Sequence, residues 1–191
     1  MKKVFCVTCH KLTYPLRLTV EYLSSFKENT VLIHVDKKCD VSLFNFMKSD
    51  NVFFIKDRVN VKWGGYSQIE STIKLLTQSL LFEYKYLFFI SGDDLPCKSN
   101  EEINEFVRFI GFKNMIHFQD KRNSYVDLEK RVKYNYPPFF FNKNKNILDK
   151  FKVKCFKLFC FLFVSESYKR SLIKNVVFYK GTSWFSLNIK T

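Results

Sequence analysis

Short apolar runs and longer segments with a helical period alternate along the chain. The first run, Val4-Phe5-Cys6-Val7-Thr8, ends on the polar pair Cys9-His10. Leu16, Val20, Leu23 and Phe26 then recur near the period of one helix face. Val31-Leu32-Ile33-His34-Val35 is a β-branched run ending at Asp36, and residues 51–55 form a further strand candidate. The spacing predicts a helix over 67–81, with Ile69, Ile73, Leu76 and Leu80 on its apolar face. Residues 86–90 make a fourth strand that closes on Ser91-Gly92-Asp93-Asp94. Ser99-Asn100-Glu101-Glu102 has the form of a capping box. The helix it opens carries Ile103, Phe106, Val107 and Ile110, with Gly111 at C′. Residues 115–118 predict one more strand.

The pattern then changes. Residues 120–136 are polar and turn-like, and Pro137-Pro138 interrupts regular structure. Residues 142–146 read as a solvated loop, 147–164 as a helix with Lys on several faces, and 176–179 and 181–187 as strand-like. Strands alternating with helices predict an α/β fold, a mostly parallel sheet flanked by helices, as one domain over residues 1–191.

Composition narrows the partners. The 32 Lys and Arg against 18 Asp and Glu leave a formal charge of +14, which favours anionic partners. Residues 121–160 hold eleven Lys/Arg against three Asp/Glu, so the excess is concentrated. Lys150, Lys152, Lys154 and Lys157 interleave there with Phe151, Val153, Phe156, Phe159 and Phe163, a composition suited to peripheral contact with an anionic membrane. No nucleic-acid-binding motif accompanies the charge, and no apolar stretch reaches the ~18 residues of a membrane span. Cys6-x-x-Cys9 lacks a second Cys/His pair at zinc-finger spacing, and Cys6 lies within a strand pattern. With no secretory leader in the pattern, reduced thiols in a cytoplasmic protein are expected.

An open α/β sheet binds ligands at the carboxyl ends of its strands. Three strand ends carry polar clusters: Thr8 to His10, His34 to Lys38, and Ser91 to Asp94. Asp36 can accept hydrogen bonds from a ribose hydroxyl or a base N–H, and the lysines beside it can meet a diphosphate. Asp-Lys-Lys is also ordinary turn composition, and taken alone the run reads as a solvated turn. Trp63-Gly64-Gly65-Tyr66-Ser67 precedes a helix for which Ser67 is a suitable N-cap. Adjacent Asp93 and Asp94 can hold a divalent cation, orient a sugar or cap backbone amides. Side chains of neighbouring residues on an extended chain point apart, which weakens the metal reading. His34 and His117 lie in strand-like runs and read as satisfied core histidines. Neither G-x-G-x-x-G nor a P-loop is present.

In order, residues 33–38 (IHVDKK), 51–55 (NVFFI), 61–68 (VKWGGYSQ), 91–100 (SGDDLPCKSN) and 181–187 (GTSWFSL) closely resemble the core-2/I-branching glycosyltransferases. That group includes β-1,6-N-acetylglucosaminyltransferases and related peptide O-xylosyltransferases, and this chain resembles a C-terminally shortened, bacterial-type member. The resemblance implies a GT-A-like fold, a UDP-sugar donor, a glycan or lipid-linked glycan acceptor, inversion at the anomeric carbon and no metal cofactor. By likeness Thr8 and Asp36 lie near the uridine, His10 near the donor, Lys38 near the ribose or diphosphate, and Val61 near the nucleotide. Trp63, Gly64 and Gly65 shape the site. Asp94 matches the acid of the family's S-G-x-D-x-P segment and is a candidate for sugar or acceptor contact. Trp184 packs in the core or on the acceptor side. The acid of the xylosyl members' G-S-x-W motif is Ser183 here, which favours N-acetylglucosamine over xylose. In the acetylglucosaminyl members the catalytic base follows the W-F-S-L-like strand, past Thr191, so no catalytic residue is assigned and an inactive nucleotide-sugar-binding fragment is the alternative.

Overall fold

The computed structural model describes residues 1–118, 128–142, 144–174, 176, 179 and 181–189. Its backbone gathers into two compact units, residues 1–117 with 182–191, and residues 118–181, and each is described by itself.

The first unit carries the sheet. Its elements are β1 (Lys3–Cys9), α1 (Tyr14–Ser24), β2 (Asn29–Val35), β3 (Val52–Phe54), α2 (Tyr66–Ser79), β4 (Tyr86–Ser91), α3 (Asn100–Phe109), β5 (Met115–Ile116) and β6 (Phe185–Asn188). A 3-10 turn, Val41–Met47, links β2 to β3. The strand order is β3-β2-β1-β4-β6-β5. β1, β2, β3 and β4 pair in parallel, whereas β6 runs antiparallel between β4 and β5. The α/β expectation therefore holds, with an antiparallel edge added to a parallel centre.

Period-two alternation on β1 explains the layers. Phe5, Val7 and Cys9 face one way and share a core with Val31, Ile33 and Val35 of β2 and Leu16, Val20 and Leu23 of α1. Val4 and Cys6 face the other way and pack with Leu32, Leu87, Phe89 and Leu75 of α2. Both faces of the centre are covered, so these strands read as continuous apolar runs. Paired strands also stack aromatic rings: Phe5 on Phe88 at 5.0 Å and Phe89 on Phe185 at 4.9 Å between centroids.

The helix pattern needs one correction. The buried face of α2 is Ser71, Leu75 and Ser79; of the expected stripe Leu76 packs partly buried against the core, while Ile69, Ile73 and Leu80 are exposed. Hydrophobicity selects the wrong stripe because small residues let a helix lie close to a sheet. The serines bury no orphaned hydroxyl: Ser71 Oγ donates to the Gln68 carbonyl at 2.8 Å, and Ser79 Oγ to that of Leu76 at 2.7 Å. Nor is Ser67 an N-cap; that position is Gly65, and Ser67 lies inside the first turn. In contrast, the capping box at Ser99 and Glu102 forms in full, and Gly111 takes a left-handed φ of 61° just past α3. His117 is exposed rather than core, because β5 is a two-residue strand with both residues exposed.

The second unit holds α4 (Leu128–Lys133), α5 (Ile147–Phe159), α6 (Glu166–Ile173) and 3-10 turns at Pro138–Phe141 and Cys160–Phe163. The helix α4 lies inside a stretch expected to be turns; residues 119–127 and half of the strand expected at 176–179 fall outside the described residues. Aromatic packing centres on Phe156, whose ring meets Tyr136, Phe140 and Phe163 at centroid distances of 5.5, 5.8 and 5.4 Å.

One glycine fixes how β4 leaves the sheet. A Cβ on Gly92 would stand 2.7 Å from the Cys9 Cβ, inside van der Waals contact. Gly92→Ala is therefore expected to destabilise by about 1–3 kcal/mol, the usual cost of overpacking. The measurement is the urea midpoint against wild type, and an unchanged midpoint refutes the steric reading.

Candidate functional site

In the order β3-β2-β1-β4, successive strands run outward to one side of β1 and then restart on its other side. The carboxyl ends of β1 and β4 flank the crevice this reversal leaves, the position where open α/β sheets bind ligands. Hydrogen bonds join the strand ends on both sides of β1. Gly92 N–H donates to the Thr8 carbonyl at 2.8 Å, and Asp36 N–H donates to the Cys9 carbonyl at 2.8 Å. Thr8, His10, Asp36 and Asp94 are thus brought to one edge, with His10 exposed.

Asp36 is not a solvated turn residue, since its side chain is only 5% exposed. Its Oδ1 accepts from Lys38 N–H at 3.0 Å and Val61 N–H at 3.4 Å, while Oδ2 pairs with Lys38 Nζ at 3.2 Å. Lys38 Nζ also donates to the Val61 carbonyl at 2.7 Å. One carboxylate therefore gathers Lys38 and Val61, which are 23 residues apart in sequence. A carboxylate offers about four acceptor positions and an ammonium three donors. Each retains capacity for one more partner.

Beyond Val61 the loop is built by the first turn of α2. Gly64 adopts φ 76° and donates its N–H to Gln68 Oε1 at 2.6 Å. Lys62 N–H donates to Ser67 Oγ at 2.7 Å, and a Cβ on Gly65 would lie 3.3 Å from the Lys62 carbonyl. Trp63 is exposed at the apex of this turn.

Asp94 is held from two sides. Its Oδ2 accepts from Ser91 N–H and from Trp184 Nε1–H, both at 2.7 Å. Trp184 reaches it because β6 runs antiparallel to β4 with Phe185 opposite Phe89, which places the residue before Phe185 at the carboxyl end of β4. Sequence alone does not pair these residues. Asp93 is exposed, so the two neighbouring acids do not share an environment. Among the described residues no three His, Cys, Asp or Glu side chains gather as a metal-binding group.

Further contributors escape the sequence reading. Thr13 caps α1 and donates Oγ1–H to the Gly92 carbonyl at 2.8 Å; Thr19 donates to the Asp94 carbonyl at 2.6 Å. Thr13 ahead of Pro15 is a legible helix start, but its second bond is tertiary. His34 is buried, as expected, and its Nε2 accepts from Val59 N–H at 2.9 Å, fixing the segment that leads to Val61. Arg58 donates to the Cys39 carbonyl at 2.8 Å, bracing the Asp36 turn from outside. Burial pushes the Cys6 and Cys9 thiols up to about 12, which makes them inert packing groups.

The sequence profile of the family described as "Branch: Core-2/I-Branching enzyme" matches residues 4–190. The chain belongs to the Core-2/I-branching enzyme family. Two curated relatives share a name, probable beta-1,3-galactosyl-O-glycosyl-glycoprotein beta-1,6-N-acetylglucosaminyltransferase 7. The Homo sapiens protein is 27% identical over 114 residues, and the Sus scrofa protein 26% identical over 113. Each match covers 54% of this chain and 26% of the relative, so the chain spans about a quarter of the length of the curated relatives it matches. In this Core-2/I-branching chain the motif-bearing strand ends are the ones that converge at the sheet's reversal point.

His34 supplies a pH test of this edge. Burial lowers its pKa below the usual 6.5, and the Val59 bond requires the neutral ring. Below 6.5 the unfolded chain binds the proton first, so stability is complete above that value and falls as pH drops toward the folded-state pKa. The urea midpoint is expected to decline over that window in wild type and to stay flatter in His34→Gln. Identical slopes in both proteins refute the assignment.

Proposed function

We propose that this chain is the donor-binding part of a GT-A-like, inverting glycosyltransferase that uses a UDP-sugar and transfers N-acetylglucosamine to a glycan hydroxyl. The observation that carries the reading is the Asp36–Lys38–Val61 clasp beside the β1–β4 crevice, in a chain of this family. The relatives' names support N-acetylglucosamine as the sugar and a β-1,6 linkage.

In this reading Asp36 does two things. Its three contacts tie Lys38 and Val61 together, and the remaining acceptor position takes a uracil N–H or ribose hydroxyl. Lys38, whose side chain is 59% exposed, offers its third donor to the diphosphate. Inverting transfer breaks the bond from the anomeric carbon to the diphosphate as the acceptor oxygen attacks from the opposite side. Charge develops on the leaving diphosphate, and ammonium groups stabilise it without a metal ion. A carboxylate removes the acceptor's proton. Asp94, oriented by Trp184 and the Ser91 amide, contacts the sugar or acceptor. The acceptor is a glycan or a lipid-linked glycan, and peripheral membrane contact serves the lipid-linked case.

Titration calorimetry tests the donor site. UDP is expected to bind equally with Mn²⁺ or with a chelator, and UDP-N-acetylglucosamine to bind better than UDP-xylose. Lys38→Gln is expected to weaken UDP by roughly tenfold to a hundredfold, the worth of one charged hydrogen bond. Binding that needs Mn²⁺ refutes the metal-free reading; a preference for UDP-xylose moves the assignment to the xylosyl type. A fully folded Lys38→Gln variant with unchanged affinity removes Lys38 from the site.

A further inference from the structure

The second unit presents a helix with its apolar side outward. On α5 the buried residue is Phe156, which sits among the rings of Tyr136, Phe140 and Phe163. At the helical period, Ile147, Leu158, Phe151, Leu148 and Phe159 fall on a different arc, roughly 120° wide. All five are exposed, from 52% at Phe159 to 87% at Ile147. The 3-10 turn that follows adds exposed Phe161 and Leu162. This is a contiguous apolar stripe, not scattered surface residues, and such stripes mark interaction surfaces.

The borders of the stripe identify the occupant. Lys154, Lys150 and Lys157 line one edge by helical position and Lys152 the other, and all four are exposed. The helix holds a single acid, Asp149, which accepts from Asn142 Nδ2 at 3.1 Å and sits in the N-terminal turn capped by Asn146. Four lysines against one acid call for an anionic surface rather than a neutral protein patch. An anionic bilayer matches both parts: the stripe enters the acyl boundary, and the lysine stems extend along it to place ammonium groups among phosphates. Thirteen residues suit a helix lying in the interface plane, and among the described residues no helix is long and apolar enough to cross.

We propose that α5 and the turn after it form an interfacial anchor that binds anionic phospholipid through the Ile147–Phe151–Leu158 stripe and its lysine border. This assignment depends on neither the donor sugar nor the acceptor.

Co-sedimentation of the full chain with vesicles tests it. Phosphatidylcholine alone is compared with phosphatidylcholine containing phosphatidylglycerol. Wild type is expected to pellet with the anionic vesicles and stay in solution with the neutral ones. A triple variant, Lys150→Gln with Lys154→Gln and Lys157→Gln, is expected to partition on the order of a hundredfold more weakly. Ile147→Ser with Phe151→Ser and Leu158→Ser is expected to abolish pelleting while keeping the circular dichroism spectrum, because the changed side chains are exposed. Equal pelleting on both vesicle types, no pelleting on either, or pelleting that survives the serine changes overturns the proposal. So does sedimentation velocity showing that the stripe closes a dimer and leaves vesicles unbound.

Discussion

The site edge depends on how closely the chain leaving β4 passes over the end of β1. Gly92 has no side chain, so its backbone lies against Cys9 and its N–H reaches the Thr8 carbonyl at 2.8 Å. From there the Gly92 carbonyl is close enough for Thr13, and the Asp94 carbonyl for Thr19, both on α1. The Asp94 carboxylate then stands where Trp184 can donate to it. A methyl group at Gly92 would separate the strand ends and loosen each of these bonds together. Glycine is needed here for close approach, not for an unusual φ.

The other half of the edge is built on charge and burial. Asp36 is nearly enclosed, and three donors offset its loss of water, two of them backbone amides. Enclosed carboxylates are tolerable on those terms only. His34 one strand position earlier in the inward alternation does the same for Val59 with a neutral ring. Together they set the path from β2 to the Trp63–Gly65 turn without a regular element between residues 55 and 65. At the opposite end of β1, Lys3 is fully buried with its ammonium on Asn100 and Asn104, and burial lowers its pKa to about 8. The two ends of the β1–β2 pair thus carry costly polar groups, and the apolar middle of the sheet holds them in place.

The two units use aromatic residues for different purposes. In the first, rings stack across paired strands and stiffen the sheet beneath the crevice. In the second, Phe156 anchors a local aromatic cluster while its neighbours on α5 face outward between lysines. The abundance of Phe in the sequence therefore has no single meaning. Position relative to the helix axis decides whether a ring holds the unit together or presents a surface.

The sequence by itself determined the order of strands and helices in the first unit, the parallel centre, the capping box at Ser99 and the family motifs at the strand ends, but not the helices α4 and α6 of the second unit. These are local signals, or ones repeated at a short period, and neighbouring residues suffice to express them. It misjudged α2, because hydrophobicity marks Ile69 and Ile73 while close packing favours Ser71 and Ser79. Taken alone it read Asp36 as a solvated turn residue, and only the tertiary structure encloses it against Val61. It singled out both Asp94 and Trp184, yet 90 residues separate them, and only the antiparallel register of β6 on β4 brings them into one hydrogen bond. The mixed pattern of α5 became a lysine-bordered stripe only once Phe156 was seen to be the buried side. Spacing along a chain fixes which residues share an element's face; which face is covered depends on what folds against it.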